Sequence, residues 1–148
     1  MPGSLQTEKI KEQKTLHNLR GLEQFRTGFY TLTPQHRPDE AAFCYARAIR
    51  EFKQALALDP DYREAHRNLG RVYFVSCKYL KSAEHDANLT EIEPGDIDAY
   101  ALTALAYSEA GRFEEARAAL EAAMGHTQDD RVRQKLQTML SRLLEGGK

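Results

Sequence analysis

Shifted by 34 residues, the stretch from Tyr45 to Met124 falls onto itself. Tyr45 lands on Tyr79 and then Phe113, Ala48 on Ser82 and Ala116, and Ala55 on Leu89 and Ala123. Pro60 lands on Pro94, Ala65 on Ala99, His66 on Tyr100, and Tyr73 on Tyr107. Aromatic returns to aromatic, small to small and proline to proline. A fixed period of this size means one supersecondary unit stacked on copies of itself, because a single copy cannot bury its own apolar face. No other feature of the chain restricts its fold as much.

Within and around the repeat, apolar residues recur at spacings of three and four, and no segment alternates as a strand would. The expected class is all-α. From Thr7 to Leu32, the residues Leu16, Leu19, Leu22, Phe25 and Phe29 are predicted to share one helix face. Gly21 and Gly28 each weaken that helix by up to about 1 kcal/mol relative to alanine, a cost that marks a close approach to another helix. Thr33 to Glu40 reads as a loop, since Pro34 and Pro38 remove amide donors and push the preceding residues towards extended backbone. Asp39 is the expected N-cap of the next helix. That helix, Glu40 to Leu58, carries Phe43, Ala48, Ile49, Phe52, Ala55 and Leu56 on its apolar face.

Further helices are predicted over Tyr62 to Val75, Tyr79 to Ile92, from an Asp96 cap to Ala110, and Phe113 to Met124. Gly111 suits a left-handed C′ turn between the last two. A final helix, capped by Asp129 or Asp130, shows Val132, Leu136, Met139, Leu140 and Leu143 along one face. Leu140 and Leu144 also read as edge positions available for self-association. Met1 to Ser4 and Gly146 to Lys148 read as disordered ends.

The formal net charge of −1 excludes a global electrostatic pull towards nucleic acid or an anionic membrane. Cys44 and Cys77 stand alone, without metal-ligand spacing, and read as small buried or half-buried side chains in a reducing, cytoplasmic compartment. That expectation leaves open a targeting segment removed beforehand. The histidines lie in different elements, and His66 takes an aromatic-type repeat position, so it reads as a packed core residue. No nucleophile–base spacing and no phosphate-cradling glycine loop is found. No enzyme activity, cofactor or metal is expected.

These residues resemble the tetratricopeptide repeat (TPR) family, whose unit is helix, turn, helix. The middle copy carries the match best: Ala65-His66, Leu69-Gly70 and Tyr73, then Tyr79, Ser82, Leu89 and Pro94. The third has Ala99-Tyr100, Thr103-Ala104, Tyr107, Gly111, Phe113, Ala116, Leu120 and Ala123, with Gln128 in place of the final proline. The first copy is degenerate, and its first helix fits only if Gly28 takes the role of Gly70 across about eight extra residues near Thr33 to Glu40. Asp86 departs as well, lying where Phe52 and Leu120 lie in the other copies. The resemblance implies a right-handed superhelical solenoid of antiparallel helix pairs with a C-terminal capping helix. The implied layout is one domain over 5–145, with an N-terminal helix and degenerate repeat over 5–60. Repeats at 61–94 and 95–128 and a capping helix at 129–145 follow.

The resemblance further implies a non-catalytic module that holds a peptide or helix of a partner protein in a concave groove. Matching positions put Phe25, Phe29, Leu32, Glu64, Arg67, Asn68, Arg71, Phe74, Ala101 and Leu105 on that groove. Arg63, Arg67 and Arg71 share one helix face, which suits carboxylate recognition; solvation or pairing with Glu64, Glu93 or Asp98 is the plainer alternative. Asn68 stands where the family's chaperone-tail clamp has an asparagine. However, Asp98 and Leu102, and Phe25 and Phe29, replace residues that clamp needs. The implied partner is a protein segment with apolar residues and one or two acidic groups, with no nucleic acid and no membrane insertion. The alternatives are a self-assembling scaffold joined through exposed end helices, hence a homo-oligomer, or a regulatory domain of a longer protein.

Overall fold

The apolar spacing is realised as seven α-helices in a computed structural model that describes residues 2–146. They are α1 (Pro2–Arg26), α2 (Pro38–Leu58), α3 (Arg63–Val75), α4 (Tyr79–Ile92), α5 (Ile97–Glu109), α6 (Phe113–Gly125) and α7 (Asp130–Gly146). The class is all-α, with the helices packed in antiparallel pairs. Pro2 to Ser4 belong to α1 and Gly146 to α7, so these residues are helical where disordered ends were expected. Met1, Gly147 and Lys148 lie outside the described residues.

The chain divides into two compact units, Met1–Ser76 and Cys77–Lys148, with the division between α3 and α4. In the first, α1 lies along α2 and also reaches α3. Its core joins Phe25, Ala48, Phe52, Leu69, Val72 and Tyr73. In the second, α4 and α6 both pack on α5, and α7 covers α6. There Ala104, Ala116, Leu120 and Ala123 meet Leu136, Leu140 and Leu143 of α7. The repeat period recurs as burial: Ala48, Ala116, Ala55, Leu89, Ala123, Ala65 and Ala99 are all 0% exposed. These are the positions where a larger side chain would push two helices apart.

The buried face of α1 differs from the leucine stripe read from sequence. Asn18, Gly21, Phe25 and Gly28 face inwards, while Leu16 and Leu19 are exposed. The reason is the partner helix, which presents rings that need space. A Cβ on Gly21 would stand 2.5 Å from the Phe52 ring, and one on Gly28 would stand 2.8 Å from the Tyr45 ring. Two glycines receive two aromatic rings, and bulky leucines at those positions would hold the helices apart. Phe43, assigned to the apolar face of α2, instead stands 63% exposed beside Arg47.

After Arg26 the backbone widens into a π-helical stretch, Thr27–Leu32. The Thr33 amide and hydroxyl both donate to the Gly28 carbonyl, at 3.0 and 2.8 Å. Such wide turns are rare, and no periodicity argument anticipates one. The following loop is shorter than expected because Pro38 opens α2, where its missing amide hydrogen costs nothing. Arg37, not Asp39, holds the N-cap position; Asp39 and Glu40 sit in the first turn, and Arg37 pairs with Glu40. Elsewhere the caps follow the sequence: Asp96 accepts from the Ala99 amide, and Gly111 takes φ +76°. Asp129 caps α7, accepting from the Arg131 amide at 2.8 Å. Leu140 is buried against α6 and α5, so of the two edge leucines only Leu144 is exposed. Cys44 is buried, but Cys77 is exposed in a left-handed turn, against expectation.

Polar clasps hold the middle of α1. Lys14 Nζ donates to Asp59 Oδ2 at 2.6 Å and lies over the Tyr62 ring, while His17 Nδ1 meets Glu51 Oε2 at 2.7 Å. The hydrogen bond from Lys14 holds the Asp59 carboxyl below its ordinary pKa.

Two expectations follow. Gly21→Ala gains up to about 1 kcal/mol of helix propensity but overpacks the Phe52 ring, for a net loss of about 1–3 kcal/mol. Urea denaturation would read this loss, and Gly3→Ala, with nothing within 4 Å of its new Cβ, should lose nothing. The Asp59 contribution is present above the unfolded carboxylate pKa of about 3.9 and is lost as pH falls through the lower folded value. Wild type should therefore exceed Asp59→Asn by about 0.2–1 kcal/mol near neutrality, and the gap should close below pH 4; a constant gap would contradict the linkage.

Candidate functional site

The arginine row predicted on one helix face lies on α3 of the first unit. Arg63 and Arg71 are exposed and Arg67 is half-buried, with Glu64 exposed in the first turn. His66 points the other way and is buried, with Nε2 donating to the Pro60 carbonyl at 2.7 Å. That bond explains a histidine at a core position: its polar edge is satisfied at the chain reversal while its ring packs.

Opposite α3 stands the end of α1 and the π-helical turn. Phe25 is buried there and stacks on Phe29, with ring centroids 5.6 Å apart; Phe29 meets Tyr30 edge-on at 5.0 Å. The Arg71 guanidinium lies 5.6 Å from the Phe25 ring centroid. A guanidinium lying over a ring uses its face and keeps its in-plane N–H donors for another acceptor. Phe29, 38% exposed, and Tyr30, 62% exposed, leave an aromatic ledge beside that cation.

The structure separates the predicted groove residues into two kinds. Phe29, Glu64, Arg67, Arg71 and Phe74 retain exposed surface, wholly or in part. Phe25, Leu32 and Asn68 are buried. Leu32 joins Ala41 and Cys44 in a small cluster of its own. Asn68 Nδ2 donates to Asn18 Oδ1 at 2.8 Å, tying α3 to α1 in the interior. Its side chain is thus committed to the fold. Ala101 and Leu105 belong to the second unit; Ala101 is half-buried, and Leu105 lines a cleft with Phe113, Met139 and Leu143. Asp86 is buried on α4 with the Ser82 hydroxyl 3.5 Å from Oδ2, so the departure from the repeat pattern is a buried polar site.

Sequence reasoning gave Phe113 and Met139 packing roles in the repeat and the final helix, and it passed over Asn18. Asn18 carried a usable signal, because it continues the spacing of Gly21, Phe25 and Gly28, but a polar residue does not register in a search for apolar stripes. Among the described residues, no cluster of three or more metal-ligating side chains occurs, and no helix is long and apolar enough to cross a membrane.

A family model described as "TPR repeat" matches residues 45–75, and one described as "Tetratricopeptide repeat" matches 78–140. The fold is similar to the TPR domain of OM64 from Arabidopsis, with TM-score 0.55 and 13% identity over 85% of this chain and 98% of that one. It is similar to the first TPR of Spaghetti (RPAP3) bound to the HSP90 peptide SRMEEVD, with TM-score 0.56 and 17% identity over 86% and 95%. The TPR domain of Sgt2 from Aspergillus fumigatus gives TM-score 0.55 and 19% identity over 86% and 83%.

Asn68→Ala should cost about 1–3 kcal/mol, because it strands the buried Asn18 oxygen. An Asn18→Leu/Asn68→Leu pair should recover much of that loss in thermal melts. A fully stable Asn68→Ala chain would remove Asn68 from the core.

Proposed function

We propose, from the premise that this chain belongs to the tetratricopeptide repeat family, that its first unit holds an acidic, partly apolar segment of a partner protein against α3 and the end of α1. Domains of this family mediate protein–protein interactions. The observation that supports this finer reading is Arg71 over the Phe25 ring beside the exposed Phe29. A carboxylate can take the in-plane donors of Arg71, while an adjacent apolar side chain covers Phe29 and Phe74. Glu64, at the start of α3, disfavours a run of many acids and selects for one or two.

A chaperone-tail clamp does not fit this face. The asparagine at the matching position, Asn68, is buried against Asn18, and Phe25 and Phe29 stand where the clamp needs a lysine and an asparagine. The HSP90 peptide bound by the Spaghetti domain carries a run of acids, whereas this face offers aromatic surface. The reading is therefore an adaptor for a different class of segment, with no catalytic step.

Fluorescence anisotropy with two synthetic probes tests this. One carries the sequence Leu-x-x-Glu within an otherwise neutral peptide, and the other is the HSP90 tail peptide SRMEEVD. The first should bind more tightly, and Arg67→Ala/Arg71→Ala should weaken it at least about tenfold, as loss of charge-assisted hydrogen bonds does. Equal affinity of the double variant, or preference for the HSP90 tail, would sink the proposal.

A further inference from the structure

The second unit holds a recognition feature of its own. Between the later part of α5, the start of α6 and the last turns of α7 lies an open cleft of about 280 Å³. Its floor is core: Ala104 and Leu120 are each 2% exposed, and Leu143 is 9%. Its lips are Leu105 and Phe113, 42% and 37% exposed, and Met139 lines it half-buried. The cleft exists because α7 rests on α6 and leaves the later part of α5 uncovered. Leu105 and Phe113 thus leave apolar surface open directly over a closed core.

Two polar groups break the apolar lining, Ser108 and Arg142. The Arg142 guanidinium makes no hydrogen bond or ion pair with a described residue, although Glu145 lies three residues on, one turn along the same helix. A guanidinium with no partner among the described residues, set against an apolar wall, offers its donors to an acidic group from outside. The volume is below the roughly 300–1,000 Å³ of pockets that enclose whole small molecules. It is sized for one or two side chains. The larger groove on the first unit, about 390 Å³, lacks this chemistry, since Glu23 and Glu51 line it together with Arg20, Arg47 and Arg50 and no large apolar side chain does.

We infer that the α5–α6–α7 cleft is a separate docking site for a partner-protein segment that inserts one large apolar side chain and presents an acidic residue within about one helical turn of it. The apolar side chain covers Leu120 and Met139 between the lips of Leu105 and Phe113. The carboxylate pairs with Arg142 at the rim, and that charge pair sets the direction in which the segment lies. The site lies wholly within the second unit and does not depend on the arginine face of α3.

Display selection on the full chain tests this, using random peptides of about twelve residues with excess Leu105→Asp/Arg142→Glu chain as competitor. Peptides that survive should share a Leu, Ile, Met or Phe within four residues of an Asp or Glu. As synthetic fluorescent peptides, they should bind Arg142→Glu at least about tenfold more weakly than wild type, given what a charge-assisted hydrogen bond is worth. Arg142→Met serves if the charge reversal disturbs folding, as judged by thermal melts. Binding to Arg67→Ala/Arg71→Ala should stay within twofold, which separates this site from the one on α3. Survivors without an acidic residue, no survivors at all, or undiminished binding to both Arg142 variants would overturn the inference.

Discussion

The interlock of α1 with α2 is the constraint from which the first unit follows. Gly21 in α1 and Gly28 in the π-helical turn after it remove two side chains, and the rings of Phe52 and Tyr45 occupy the space. Glycine in a helix interior is costly, and here the cost is offset by burying a phenylalanine completely. Once the two helices are locked in this register, the rest is placed. Asn18 comes to face Asn68, Lys14 reaches Asp59, and Phe25 comes to lie under Arg71. The second unit packs through small side chains instead, with alanines at Ala104, Ala116 and Ala123.

Much of this was legible in the chain itself. The 34-residue period gave helix number and order, and its small positions are the most fully closed in the structure. Gly21 and Gly28 announced a close approach before its partner was known. What failed was the assignment of faces on α1, and the reason is general. Periodicity counts apolar residues, but a helix packed through glycines buries its backbone, and its leucines can lie outside. Leu16 and Leu19 are therefore exposed while Gly21 and Asn18 are not. The π-helical turn at Thr27–Leu32 was invisible for a related reason, since it depends on the Thr33 hydroxyl reaching back to the Gly28 carbonyl.

For the candidate site, residue type was easier to read than residue role. The arginine row on α3 was evident, but sequence could not say that Arg71 lies over Phe25 or that Asn68 turns inwards. The same holds for Leu105. Its position in the repeat assigned it to a groove, yet its surroundings are set by where α7 rests, a matter of packing between segments far apart in the chain. Repeat proteins divide their labour in this way. Positions fixed by the period determine architecture, and positions free of it determine what the surface recognises.

The Asn18–Asn68 bond has a consequence in time as well as in space. Its two residues stand 50 apart in the chain, so the interior of the first unit closes only after α3 has been made. Repeat arrays are usually described as growing by local steps, each helix pair nucleating the next. Here the Asn18–Asn68 step is not local. Closing a loop of that length costs entropy before any contact returns it, whereas Gly21 and Gly28 meet the rings of Phe52 and Tyr45 as soon as α2 is present. The Asn18–Asn68 bond therefore closes only a complete three-helix unit, while the interlock of glycines and rings asks for the first two helices alone.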